Sequence, residues 1–205
     1  MNSDRKNKHE KIVILGRGES LALLRNASYP IGTEVLLVNI FWKSTQTPHP
    51  YYKDPVIRAF LKGKHVRLIC NPFCETKYIL PFLLRLRVSE AYQIGYEGDP
   101  KERPPKRFFR HLPIEWYERW MPLKHNYREV GSLGAAFVYA VEVLKKKEVD
   151  IFGLDFYERD YYLTNTHDFH VELTRASEIK KVWRAFFRNF EDIEVNINTL
   201  AEFRM

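Results

Sequence analysis

Short apolar runs punctuate the chain at wide intervals. KIVILG (11–16), EVLLVNI (34–40), HVRLICN (65–71), AYQIG (91–95), VDIFG (149–153) and DIEVNI (192–197) are rich in apolar and β-branched residues. Near-continuous apolar character over so few residues marks strands buried on both faces. Between them lie stretches of helical pattern. ESLALLRN (19–26) predicts a short helix, and DPVIRAFLKG (54–63) another, with Asp54 as N-cap and Pro55 at the first helical position. ETKYILPFLLRLR (75–87) is a third, kinked or shortened by Pro81. In SLGAAFVYAVEVLKKK (132–147), Leu133, Ala136, Phe137, Ala140, Val141 and Leu144 recur at three- and four-residue spacing and form one apolar face. Its closing lysines suit the negative end of the helix dipole. ASEIKKVWRAFFRNF (176–190) buries Ile179, Val182, Trp183, Phe186 and Phe187. Strands alternating with helices predict an α/β fold: a single Rossmann-like domain, mainly parallel, with helices on both faces.

Two stretches depart from this rhythm. Residues 1–10 are polar and charged, a disordered leader with none of the features of a signal peptide, which leaves 11–205 as the folded unit. Residues 96–130 show no clear strand and interleave prolines, basic residues and aromatics, as a lid or excursion would. Trp116, Tyr117 and Trp120 within it are spaced as a helix face. The block KERPPKRFFRH (101–111) reads as a solvated lid surface, with acceptor phosphate or an anionic membrane as its functional readings. No apolar run reaches the roughly 18 residues that span a bilayer.

Composition narrows the class. Hydrophobic residues are 45% and aromatics 15% of the 205, a globular balance. A net charge of +7 favours an anionic partner, whether nucleic acid, acidic lipid or a phosphorylated small molecule, although a basic surface also serves solubility alone. Cys70 and Cys74 have no second pair at metal spacing, so no zinc site is expected, and Cys70 reads as core. A reducing, cytoplasmic setting follows.

Two strand ends carry candidate chemistry. ILGRGESL sets Gly16 and Gly18 between a strand and a helix, where backbone amides can approach a phosphate and Ser20 can add a hydroxyl. The third glycine of a dinucleotide fingerprint is replaced by Leu21, and Asn39 stands where a ribose-binding acid belongs, which disfavours NAD. The absence of a Gly-Lys-Ser/Thr run excludes a P-loop. A tight turn with no ligand fits the same residues equally well. The second end is GLDFYERDYYLTNTHDFH (153–170), where an apolar strand turns abruptly polar and aromatic. It is either the rim of a site or an aromatic loop capping the core, with His167 bonded to a loop carbonyl. No Asp-x-Asp pair of a metal-dependent transferase is present.

Three pieces together resemble the bacterial sialyltransferases of glycosyltransferase family 42. KIVILGRGESL is similar to their opening strand and glycine turn, and EVLLVNIFW to their second strand. GSLGAAFVYAVEVLKKKEVDIFGLDFY is similar to their Ser-Gly helix, the following strand and a Gly-Ile-Asp-Phe-Tyr segment, without a gap. The likeness spans about two thirds of the chain in outline and is specific around 131–162. The MAF type of flagellin glycosyltransferase is a more distant resemblance.

The resemblance implies a GT-A-like variant of the Rossmann-like fold with a small lid. It implies transfer of sialic acid or a related sugar from a CMP-activated donor to a glycan or glycolipid hydroxyl, with inversion, no cofactor and no metal. By position, Gly16, Arg17, Gly18 and Ser20 would lie by the nucleotide and Asn39 near the donor. Ser132, Leu133 and Gly134 stand where the family contacts the nucleotide, with Arg128 close to an upstream arginine position. Gly153 and Asp155 would be near the ribose or base. Tyr157 matches the first of two tyrosines on the leaving phosphate; the second falls at Tyr162, or at Tyr161. His170, or else His167, matches the general base. Arg17, Ile40, Val130 and Leu133 depart from the family pattern, and they bear on the donor sugar more than on the nucleotide. The alternatives are a pterin diphosphokinase-like enzyme needing ATP and magnesium, or a non-catalytic nucleotide- or RNA-binding module. For the transferase no nucleic acid is expected; peripheral membrane contact through 101–120 and homo-oligomerisation are compatible with it.

Overall fold

The computed structural model describes residues 10–38, 53–70, 83–94, 110–112, 127–156, 158 and 176–205. One sheet organises them. It contains β1 (Lys11–Leu15), β2 (Glu34–Val38), β3 (His65–Cys70), β4 (Glu90–Ile94), β5 (Arg110–Leu112), β6 (Glu148–Phe152) and β7 (Glu194–Asn198). Their order is β5-β4-β3-β2-β1-β6-β7, and every neighbouring pair is parallel. The chain builds outward from β1 through β5, then returns to the other side of β1 for β6 and β7. The direction of winding therefore reverses between β1 and β6, and the crevice at that reversal is where parallel α/β sheets bind ligands.

Both faces are covered, as continuous apolar strands require. Ile12, Ile14, Leu36, Val38, Ile69, Val149 and Ile151 face α2 (Tyr127–Val138) and α3 (Ala176–Phe187), which contribute Ala136, Phe137, Trp183, Phe186 and Phe187. Phe137 meets Phe186, Phe187 and Phe190 edge-on, with ring centroids 5.0–5.6 Å apart. On the opposite face Val13, Leu15, Val35, Leu37, Val66, Leu68 and Phe152 pack against the 3₁₀ helix Glu19–Asn26 and α1 (Pro55–Leu61). Cys70 is buried there, as a core residue should be. Asp54 caps α1 by accepting the Ile57 N–H at 2.8 Å, worth about 1 kcal/mol by comparison with similar caps.

All six apolar runs form strands. The stretch expected to lack a strand supplies β5, which pairs Arg110–Leu112 with Tyr92–Ile94 at the sheet edge. Three residues reading Arg-His-Leu carry no period to detect. The long helix begins upstream of its expected start, at Tyr127, and breaks at Gly131 (φ 41°, ψ −141°) before resuming at Ser132. Beyond Val138 it widens to a π-helical turn, Tyr139–Val143. Of 75–87, a helical turn at 83–85 lies within the described residues. The leader 1–9, most of 96–130 and Cys74 lie outside them. Among the described residues no helix is long and apolar enough to cross a membrane.

Charges buried beside the sheet are paired. Arg67 on β3 binds Glu34 and Glu90, Lys146 binds the other oxygen of Glu34, and the Tyr92 hydroxyl donates to Glu90. Burial pushes the Glu34 carboxyl up, but the bonds from Lys146 and Arg67 outweigh it and hold the group below its ordinary value. Asp150 on β6 accepts from the Tyr29 hydroxyl and from Asn196 (3.1 Å) and pairs with Lys11 (3.1 Å). Burial and then that bond to Asp150 push the Tyr29 phenol far up, so it stays a donor.

Candidate functional site

The glycine turn leaves the carboxyl end of β1, and Gly153 to Asp155 leave the carboxyl end of β6. Register pairs Leu15 with Phe152, so the two turns rise side by side from adjacent strands at the winding reversal. They are locked together. The Gly16 N–H donates to the Phe152 carbonyl (2.7 Å) and the Gly18 N–H to the Gly153 carbonyl (2.9 Å). In return the Gly153 N–H donates to Ser20 Oγ (2.9 Å). The backbones come so close that a Cβ on Gly16 would stand 2.5 Å from the Gly153 carbonyl oxygen and 3.0 Å from Leu133 Cδ1. Gly153 itself has φ +77°, a left-handed conformation that only glycine adopts without penalty.

Asp155 completes the lock. Its Oδ2 accepts the Ser20 N–H at 2.8 Å, so a carboxylate sits against the first turn of the 3₁₀ helix, where amides lack intrahelical partners. Its Oδ1 accepts from Thr199 Oγ1 (2.8 Å) and the Leu200 N–H (3.3 Å). Ser20 is fully buried and Asp155 is 4% exposed. The amides of Gly16, Gly18 and Ser20 thus bind the chain's own acceptors, the Phe152 and Gly153 carbonyls and the Asp155 carboxylate. The glycines admit the close approach of two turns.

After Asp155 the chain turns. The Glu158 N–H closes on the Asp155 carbonyl at 2.9 Å, and Phe156 has φ +52°. A left-handed aromatic residue costs about 1–3 kcal/mol and persists only where its surroundings impose it. Phe156 is buried and stacks on Phe203, with ring centroids 4.3 Å apart and planes 21° from parallel. Glu158 is paired with Lys180 of α3 at 2.6 Å. Thr199, Leu200, Phe203 and Lys180 carried no signal in the sequence, because their partners lie far away along the chain.

The sequence-derived residues divide into two groups. Gly16, Arg17, Gly18, Ser20, Gly153 and Asp155 belong to the two interlocked turns. Leu133 reaches Gly16 from the first turn after the helix break, bringing Ser132 and Gly134 to the same end of the sheet; Ser132 is buried. The Arg128 backbone lies in the first turn of α2. Asn39, Tyr157, Tyr161, Tyr162, His167 and His170 lie outside the described residues. Among the described residues no group of three or more His, Cys, Asp or Glu could hold a metal ion.

No family model matches the chain, and no curated protein sequence matches it. Solved structures do. The sialyltransferase CstII from Campylobacter jejuni, in complex with the substrate analogue cytidine-5'-monophosphate, is similar over 93% of this chain and 80% of its own, with a TM-score of 0.56 and 18% identity. The same enzyme in complex with CMP-3FNeuAc is similar over 92% and 80%, with a TM-score of 0.54 and 16% identity. The seven-stranded parallel sheet, with its winding reversal between β1 and β6, is thus a Rossmann-like α/β fold shared with a bacterial sialyltransferase.

Proposed function

We propose that the chain is a sialyltransferase-like glycosyltransferase that takes a CMP-activated sugar and passes it to a glycan hydroxyl. The observation that carries this reading is convergence at one place. Two of the three segments that resemble glycosyltransferase family 42 meet at the carboxyl ends of β1 and β6, in a fold shared with an enzyme solved with CMP. They are the glycine turn and the stretch from Gly131 onward, which brings both its helix start at Ser132 and its Gly153–Asp155 turn.

In this reading the locked turns form a rigid floor. Ser132, Leu133 and Gly134 stand beside the nucleotide, with Arg128 and Asn39 nearby. Tyr157 and Tyr162, or Tyr161 in its place, donate hydrogen bonds to the phosphate as the bond between the sugar and the phosphate oxygen breaks. The acceptor hydroxyl oxygen attacks the opposite face of the anomeric carbon, and His170, or else His167, takes its proton. Histidine suits that task because its unperturbed pKa lies near neutrality. A donor aimed at developing phosphate charge in a desolvated site contributes about 2–4 kcal/mol. The reaction as written balances without a metal, since one phosphate departs as CMP. The acceptor is a glycan or glycolipid, and the basic 101–120 segment is the proposed contact with an anionic membrane surface.

Thermal stabilisation tests the reading. CMP at a hundredfold excess over its Kd stabilises a one-site protein by about 2.7 kcal/mol, and CMP alone should raise the melting temperature. ATP with magnesium, NAD or RNA should not. A shift with ATP-magnesium and none with CMP refutes the transferase and favours the pterin diphosphokinase chemistry. In a donor-hydrolysis assay, Tyr157→Phe and His170→Ala or His167→Ala should slow turnover. Silence in all three removes these residues from the site.

A further inference from the structure

Asp155, Phe156 and Glu158 are each held by a residue remote in sequence. Thr199 and Leu200 grip the Asp155 carboxylate, and Phe203 stacks on Phe156. Lys180 binds Glu158 and stands 5.9 Å from the Phe156 ring centroid. Phe203 is fixed in turn. The Arg184 guanidinium lies 5.1 Å from its ring centroid, and Arg184 Nε donates to the Arg204 carbonyl at 2.8 Å. Residues 199–204 thus run from β7 back across the rim that β6 opens onto, contacting it at both ends.

We propose that residues 199–204 form a strap that positions the rim turn, with Phe203 as its positioning residue. The local sequence Leu-Asp-Phe-Tyr-Glu contains neither Gly nor Asn to favour a positive φ. Among the described residues one backbone hydrogen bond, from the Glu158 N–H to the Asp155 carbonyl, closes the turn. The left-handed state of Phe156 is therefore imposed from outside, by the stack with Phe203 and by the hold on Asp155 one residue earlier. The strap and Lys180 thus fix Asp155, Phe156 and Glu158, the residues on either side of position 157 in the sequence. Its consequence for nucleotide binding rests on the function proposed above. The strap itself does not.

Hydrogen exchange on the full chain, read alongside CMP titration, separates the two. Phe203→Ala should raise exchange at 154–158 about tenfold or more while the amides of β1 and β6 stay within about twofold, since local opening need not follow global unfolding. Phe203→Tyr, which keeps the stacking ring, should restore protection. CMP affinity should fall about tenfold in Phe203→Ala and recover in Phe203→Tyr, a shift of about 1.4 kcal/mol. Unchanged exchange at 154–158, or exchange rising equally along β1 and β6, overturns the strap. Raised exchange with undiminished CMP affinity overturns its positioning role. If wild-type chain binds no CMP, the proposed function fails and the exchange pattern alone decides the strap. Should Phe203→Ala fail to fold, Thr199→Val, which removes one bond to Asp155, is read in the same way with a smaller effect of about threefold.

Discussion

Replacing Gly153 by alanine tests the interlocked turns most directly. Two costs add at this position. The left-handed backbone, at φ +77°, penalises any Cβ by about 1–2 kcal/mol. The added methyl would also stand 2.8 Å from the Gly16 carbonyl carbon and 2.9 Å from the Arg17 nitrogen. Both are backbone atoms that cannot rotate aside, so the turns must part, at the 1–3 kcal/mol or so typical of overpacking. Together the cost is about 2–5 kcal/mol. Gly32 provides the control, for it has φ +80° but no atom within 4 Å of the new methyl, so Gly32→Ala carries the backbone penalty alone, about 1–2 kcal/mol. At about 2–4 °C per kcal/mol for a chain of this size, Gly153→Ala should melt roughly 4–20 °C below wild type and Gly32→Ala roughly 2–8 °C below. Differential scanning calorimetry on the three proteins measures both. Equal losses in the two variants would refute the claim that the turns touch.

Asp155→Asn should cost about 2–4 kcal/mol, because an amide nitrogen would face either the Ser20 N–H or the Thr199 and Leu200 donors, leaving a buried donor unmatched. A denaturant midpoint indistinguishable from wild type would show that the carboxylate is not the clamp. Acid should also weaken the fold through Glu34 and Glu90, whose carboxyls are held below their ordinary values. Their contribution is complete above the ordinary glutamate value of about 4.3 and is lost as pH falls through the lower folded values. Glu34→Gln should flatten that acid limb, and an unchanged pH profile for this variant would count against the network with Arg67 and Lys146.

The sheet was readable because burial on both faces leaves a strand continuously apolar; runs such as EVLLV and VDIF have no other comfortable place. The part that escaped the sequence depends on contacts between distant positions. Ser20 and Asp155 are 135 residues apart, and no local pattern announces that one caps the other. A glycine that admits a phosphate and a glycine that admits a neighbouring backbone look identical in one dimension. That is why the turn at Gly16 and Gly18 fits both readings in the sequence, while its bonds to the carbonyls of Phe152 and Gly153 and to Asp155 are visible only in the fold. The helical turn upstream of Gly131 escaped because 96–130 carries no clear period, so the pattern starts the helix at Ser132. Asp54, by contrast, was legible as a cap because its partner is three residues away.

The winding reversal also shapes how the molecule is made. β1 leaves the ribosome well before β6, which covers one of its flanks and follows about 135 residues later in the chain. At roughly 5–20 residues per second, that flank stays open for about 7–27 s. During that time β1 to β5 can assemble into a five-stranded partial sheet whose open edge displays the Lys11–Leu15 backbone, flanked by side chains destined for full burial. An uncovered, apolar strand edge of this kind is a template for pairing with other chains. The nascent protein is therefore most vulnerable at a strand that ends fully buried, and the bonds from Gly16, Gly18 and Ser20 to Phe152, Gly153 and Asp155 double as the latch that ends the exposure.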